Sequence, residues 1–342
     1  MDVRRQRATN DPTLQELHAL LQTQLRFGPE YGQGLSNHLP MALHALAELR
    51  ADGNRLRTAF DRYLDAHRLP AMTESGAMLA DWPATRGDIA RYADLRATFD
   101  DLLARRGIDG TLRSAVPQLW PGAVGAAFHG LIRTAHAVQA GHIGELAAAL
   151  AYWAARWQAL PIPTVQRPAA SFPDWARALE AAAQRLQPPG GLIAERAVNA
   201  AASPDYAELA ATAPLLEGWS ELVDWGAGLY ARSGNFTVLH IVTGTRAARV
   251  MAPWAGDPAA ARSAFLRATV AAALASHLAV HGSPGVQPEE FDWHMARVGA
   301  RASDDEHVIK LIHALHEMRR WDGSAADDKL RLAAAARAMA GA

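Results

Sequence analysis

Apolar residues recur along the chain at three- and four-residue intervals almost everywhere. Leu14, Leu17, Leu21 and Leu25 mark one such stripe, and Leu95, Phe99 and Leu102 mark another. This is the spacing of an amphipathic helix. Alternating, strand-like runs are few. Phe236 to Val242 is the best of them, but the apolar pattern continues through Ala247, Ala248 and Met251, which predicts a buried helix. Proline and glycine clusters punctuate the pattern at Gly28-Pro29, Pro70, Trp120-Pro121-Gly122, Pro161-Ile162-Pro163 and Pro188-Pro189-Gly190-Gly191. With further breaks near 204, 255 and 283, they divide the chain into about ten to fourteen helices of ordinary length. Segment 161–173 is the one candidate linker; it is short, and both sides look alike in composition. The expectation is an all-α protein with three parts. Residues 1–12 form a flexible N-terminus, 13–321 a single large multi-helix domain around a buried, His-lined polar centre, and 322–342 a peripheral C-terminal helix.

Composition narrows the chemistry. The 342 residues hold 34 basic and 35 acidic side chains, so electrostatics give no reason to expect nucleic acid or an anionic membrane as partner. No cysteine is present, which removes disulfides, thiolate ligands, iron–sulfur clusters and a Cys nucleophile. No apolar run approaches the roughly 18 residues of a membrane span, and the basic N-terminus is not followed by an apolar signal segment, so a cytoplasmic protein is expected. Gly226-Ala227-Gly228-Leu229-Tyr230-Ala231 loosely matches a dinucleotide fingerprint but lacks a preceding strand. His316-Glu317-Met318-Arg319-Arg320 lacks the second His of a zinc-protease motif.

The 14 histidines and the scarcity of lysine, present only at 310 and 329, are more informative. Four segments place a His on an apolar helix. In the first, Ser36 or Asn37 can cap a helix whose first turn holds His38 and Pro40. In the second, His129 and His136 share a face with Arg133 beside them. The third encloses His240 among Leu239, Ile241 and Val242. In the fourth, Ser303 and Glu306 form a capping box, and His307 and Lys310 lie one turn apart. Imidazoles converging from different helices can hold Fe, Zn, Cu or Ni. A desolvated lysine keeps a neutral amine, which can take up CO2 and become a carboxylate-like ligand. The ordinary alternative is that each buried His is a hydrogen-bonded core residue and Lys310 pairs with an acidic side chain.

At these same four segments the sequence resembles the questin oxidase-like family. The matching stretches are Gly34-Leu35-Ser36-Asn37-His38-Leu39, His129-Gly130-Leu131-Ile132-Arg133, Leu239-His240-Ile241-Val242-Thr243-Gly244 and Asp305-Glu306-His307-Val308-Ile309-Lys310. The resemblance implies a helical oxygenase without a flavin, whose fungal members open a ring of anthraquinone-type polyketides or perform a Baeyer–Villiger-like step. It implies either NADPH as electron source or a non-haem iron held by His and a carboxylated Lys. Carried over, that metal site falls on His38, His129, His240, His307 and Lys310. Fungal members carry additional His where this chain has Pro40, Met41 and Ala42, so His44 and His136 are the replacement ligands to test. The leading expectation is a metal-dependent oxygenase acting on a planar aromatic or quinone substrate. Trp120, Phe128, Trp225 and Phe236 are candidates to line its pocket, and Arg133 to hold a phenolate or carboxylate. One alternative is a metal-free, NADPH-dependent enzyme with His129 and His240 as base and acid. Another is a non-catalytic helical protein that binds a small molecule. A homodimer is compatible with either.

Overall fold

The computed structural model describes residues 11–72, 76–280, 291–323 and 327–341. Residues 1–10, most of the expected flexible N-terminus, lie outside them. Helix α1 (Pro12–Gln24) leads into a short antiparallel hairpin, β1 (Glu30–Tyr31) and β2 (Leu35–Ser36), with Glu30 opposite Ser36. Helices α2 (Leu39–Glu48), α3 (Gly53–Ala66) and α4 (Tyr92–Leu119) follow, the last bent at Gly107. Then come α5 (His129–Ala140), α6 (Ile143–Ala155), α7 (Phe172–Arg185), α8 (Ile193–Ala201), α9 (Pro204–Ala211) and α10 (Ser220–Ser233). The chain continues with α11 (Phe236–Met251), α12 (Pro258–Leu274), α13 (Trp293–Ala302), α14 (Glu306–Asp322) and α15 (Asp328–Ala340). The all-α reading is correct, and no helix among the described residues is long and apolar enough to cross a membrane.

Four helices form the centre. α2 packs on α5, α5 on α11, α11 on α14, and α14 back on α2, which closes a ring. The histidines near the N-terminal ends of all four meet one another, and so do polar residues two turns further along each. All four helices therefore run in the same direction. Parallel neighbours cannot be joined by short turns, so the remaining helices are return paths. α3 and α4 lead back to α5, α6 to α10 lead to α11, and α12 and α13 lead to α14. The return helices wrap the ring: α6 covers α5, while α10 covers α11 and α15 lies on α10 and α14. In α15, Ala333 to Ala336 and Arg331 are buried.

Local chemistry explains two of the ring helices. α11 carries the β-branched residues that make its sequence strand-like, yet Asn235 Oδ1 caps it by accepting from the Thr237 and Val238 amides at 2.9 and 3.2 Å. Residues 237–248 are buried on every side, so packing outweighs intrinsic propensity. The Gly226-Ala227-Gly228 stretch lies within α10 and makes no phosphate loop. α14 begins later than expected. Ser303 ends α13 in extended conformation, and the side chain that caps α14 is Asp305, which accepts from the His307 amide at 2.7 Å. The expected Ser303–Glu306 capping box is therefore replaced by an Asp305 cap.

Candidate metal centre

Each of the four histidines is placed by its local sequence. His38 is the residue preceding α2; Asn37 beside it accepts from the Leu39 amide and donates to the Gly28 carbonyl, and Tyr63 Oη accepts from the His38 amide at 2.9 Å. His129 opens α5 after Ala126, Ala127 and Phe128, three consecutive residues in the left-handed region at φ 47°, 55° and 66°. Such a run costs about 1–2 kcal/mol per residue and is held by packing. Phe128 is fully buried against Phe265 and over Gly244, where a Cβ would meet its ring at 3.0 Å. Gly130 allows α5 to press onto α6, since a Cβ there would lie 2.5 Å from the Trp153 Cα. His240 sits in the second turn of α11, and His307 in the first turn of α14.

The groups behind the rings fix which nitrogen faces inward. His129 Nδ1 lies 2.5 Å from the Ala126 carbonyl, and His240 Nδ1 2.8 Å from the Phe236 carbonyl. His38 Nδ1 is 3.1 Å from Glu306 Oε1, and His307 Nδ1 is 3.5 Å from Asp305 Oδ1. Carbonyls and carboxylates only accept, so each Nδ1 carries the proton. Burial is the main cause that pushes all four imidazoles below their usual range, with Lys310 adding to it in each; neighbouring rings add to it for His38, His129 and His240, while Asp305 and Glu306 oppose it at His307. With Nδ1 protonated, the neutral form of each ring presents Nε2 as a lone pair. His38 Nε2 and His129 Nε2 face each other at 2.8 Å, while the Nε2 atoms of His240 and His307 are buried without a partner.

Lone pairs opposed at this distance repel unless a cation lies between them. One ring nitrogen each from His38, His129 and His240 falls within 4.8 Å of the others, and His38, Glu306 and His307 form an overlapping group. A donor set of neutral imidazoles with outer hydrogen bonds to carbonyl and carboxylate fits a transition metal such as iron. Lys310, one turn after His307, is 2% exposed and makes no hydrogen bond or ion pair among the described residues. Burial lowers its ammonium to about 8. The structure thus brings His38, His129 and His240 together, places His307 beside His38 and Glu306, and buries Lys310 one turn further along the same helix as His307.

The rings form the floor of a cavity of about 370 Å³. Phe236 stacks its edge near both His240 and His307, with ring centres 4.7 and 4.6 Å away. Tyr31 and Leu35 of the hairpin, Ala126 and Ala127 of the left-handed run, and Leu192 and Ile193 before and in α8 complete an apolar wall. Of the four aromatics expected there, only Phe236 lines it. Trp120 donates to the Ala261 carbonyl, Trp225 to Glu180, and Phe128 is core. Arg133 does not serve the site either: its guanidinium is buried and paired with both oxygens of Glu145 from the adjoining α6. His44 and His136 do not replace a ligand; they bond each other deeper in the ring. Spacing did not single out Asp305 and Glu306 as partners of the histidines; their adjacency to His307 was the available signal.

Fold and site together define a helical protein with a buried four-imidazole centre under an apolar cavity. Residues 35–315, which include all five candidate ligands, match the questin oxidase-like family, and the chain belongs to that family. Membership points to oxidoreductase activity. No curated protein matches the chain.

Proposed function

We propose that the protein is a non-haem, iron-dependent oxygenase that oxidises or ring-opens a planar aromatic or quinone substrate. One observation supports this reading: ring nitrogens of His38, His129 and His240, each anchored behind its ring, converge beneath an apolar cavity, with His307 beside His38. Iron held there supplies the one-electron chemistry that dioxygen needs to react with a closed-shell molecule.

The chain's own residues do the remaining work. In its neutral form the Lys310 amine attacks CO2, an N–C bond forms and one proton leaves to solvent, which gives a carbamate. That adds a negative charge and oxygen donors to a set of four neutral rings. Glu306, Asp305 and the Ala126 and Phe236 carbonyls keep each imidazole in the tautomer that leaves Nε2 free. Phe236 and the aliphatic wall exclude water from the floor. The small side chains of Ala126 and Ala127 leave room for a flat ring, and the volume suits a compact ligand at the lower end of small-molecule sites. NADPH from solution is the reductant in this reading.

Metal analysis of natively purified protein tests it. About one iron per chain, lost on Lys310→Ala, is the expected result, followed by oxygen uptake with hydroxylated quinones. Wild-type protein that stays metal-free after anaerobic Fe(II) reconstitution overturns the reading.

A further inference from the structure

The ring helices meet a second time below the cavity. His44 follows His38 by six residues on α2, His136 follows His129 by seven on α5, Arg246 follows His240 by six on α11, and His313 follows His307 by six on α14. At 1.5 Å rise per residue this layer lies about 9–10 Å deeper. All four side chains are buried. His44 Nδ1 and His136 Nδ1 share a hydrogen bond of 2.8 Å, joining α2 to α5. Arg246 Nε donates to Glu317 Oε2 at 2.5 Å, joining α11 to α14. Arg246 also donates to Gln139 Oε1, and Gln139 Nε2 donates to Glu317 Oε1 at 2.6 Å, which ties α5 to both. Arg246 stands where the upper layer has its fourth imidazole, and its charge repels a second metal ion.

The upper layer lacks such ties. His129 and His240 are anchored to carbonyls of their own segments; among the described residues the polar contacts that cross from one ring helix to another there are the His38–Glu306 pair and the opposed Nε2 atoms of His38 and His129. Its inward nitrogens repel one another. A slip of one helix by a single residue would displace an Nε2 by about 1.5 Å, well beyond the tolerance of a ligand bond. We infer that His44, His136, Arg246, Gln139 and Glu317 are the positioning residues of the centre. They lock the axial register of the four helices, so that the upper imidazoles stay converged before a metal arrives. The inference rests on the metal reading above.

Cobalt(II) titration of the purified, metal-free protein tests it, with affinity and visible absorption read beside thermal melting. His44→Leu/His136→Leu removes both members of one tie and leaves no unpaired polar group; Arg246→Met/Glu317→Met removes the charged tie. Each is expected to weaken cobalt binding about ten- to a hundredfold, the size seen when outer partners of metal ligands are lost, and to change the absorption band. His44→Gln, which can still bond His136, is expected to restore most of the affinity. Gln139→Met changes an exposed side chain and leaves the Arg246–Glu317 pair in place, so it carries the same test if the double variants fail to fold; a several-fold loss supports the inference. Variants that melt at lower temperature yet keep wild-type affinity and spectrum overturn it. Wild-type protein that takes up no cobalt instead sinks the metal reading itself.

Discussion

The two polar layers sit on the same four helices, six or seven residues apart; the upper holds four histidines, the lower three histidines and an arginine. They differ in what stands behind the rings. In the upper layer carbonyls and carboxylates occupy every Nδ1, which turns the remaining nitrogens inward as lone pairs with no protein donor to receive. In the lower layer His44 and His136 spend Nδ1 on each other, and a buried arginine and glutamate balance their charges. One layer leaves its inward nitrogens unpaired and opens to a cavity; the other is tied by the His44–His136 and Arg246–Glu317 pairs, while His313 has no hydrogen-bond partner among the described residues, its Nε2 lying 3.8 Å from Glu317 Oε2. In the proposed reading the candidate ligands differ from the His44–His136 pair in the partner of the far nitrogen, and burial does not separate them.

The comparison breaks most sharply at the upper layer. His240→Leu is expected to abolish metal binding, whereas His313→Leu keeps one site per chain; elemental analysis of both variants decides. A loss of metal in both would mean that the layers are not distinct in role.

Acid exposes a property the layers share. Burial lowers all seven central imidazoles, with His44 at about 3. The unfolded chain binds protons near 6.5 and the folded chain does not, so stability is full above that pH and falls as pH drops below it. Each such His costs about 1.4 kcal/mol per pH unit in that window. Circular dichroism against pH should show steep acid unfolding of the metal-free protein, and His44→Leu/His136→Leu should move the midpoint to lower pH. An unchanged midpoint would mean that these two rings are protonated in the fold.

Lys310 gives the next effect. Its folded-state value of about 8 lies below that of an exposed lysine, so the unfolded chain binds the extra proton and the penalty is full below pH 8. Lys310→Met should stabilise the metal-free protein by about 3 kcal/mol at neutral pH, with the gain fading toward pH 10. Denaturant melts at two pH values measure this; a destabilised variant would show that the ammonium is satisfied in the fold. Smallest is Glu306→Gln, which weakens the support behind His38. A loss of about tenfold in metal affinity is expected, with melting temperature unchanged; equal affinity would remove Glu306 from the site.

Much of this was legible in the sequence because helical periodicity dominates it. The strand-like Phe236 to Val242 run was readable as helix since its apolar pattern continued through Met251. The four histidines of the proposed site were legible because each sits among apolar residues beside a glycine, proline or cap that fixes a helix start or contact. His136 was misplaced because seven residues return to the same face but lie two turns down the axis. Arg133 went astray for a related reason: its partner Glu145 arrives on the next, antiparallel helix, which spacing along one helix does not show. Leu192 and Ile193 reach the cavity through tertiary packing alone and leave no local trace.

The parallel sense of the ring has a consequence for how the molecule comes into being. Helices that all point one way cannot be assembled by neighbouring hairpins; His38 must find His129 across 91 residues and Glu306 across 268. Contacts this remote in sequence close late and slow the folding reaction. The four histidines of the proposed site start on four separate helices, so a metal ion would find that donor set only once the ring is built. In the proposed metal-bound form the ion would act as a latch on the finished structure, slowing its opening without hastening its formation.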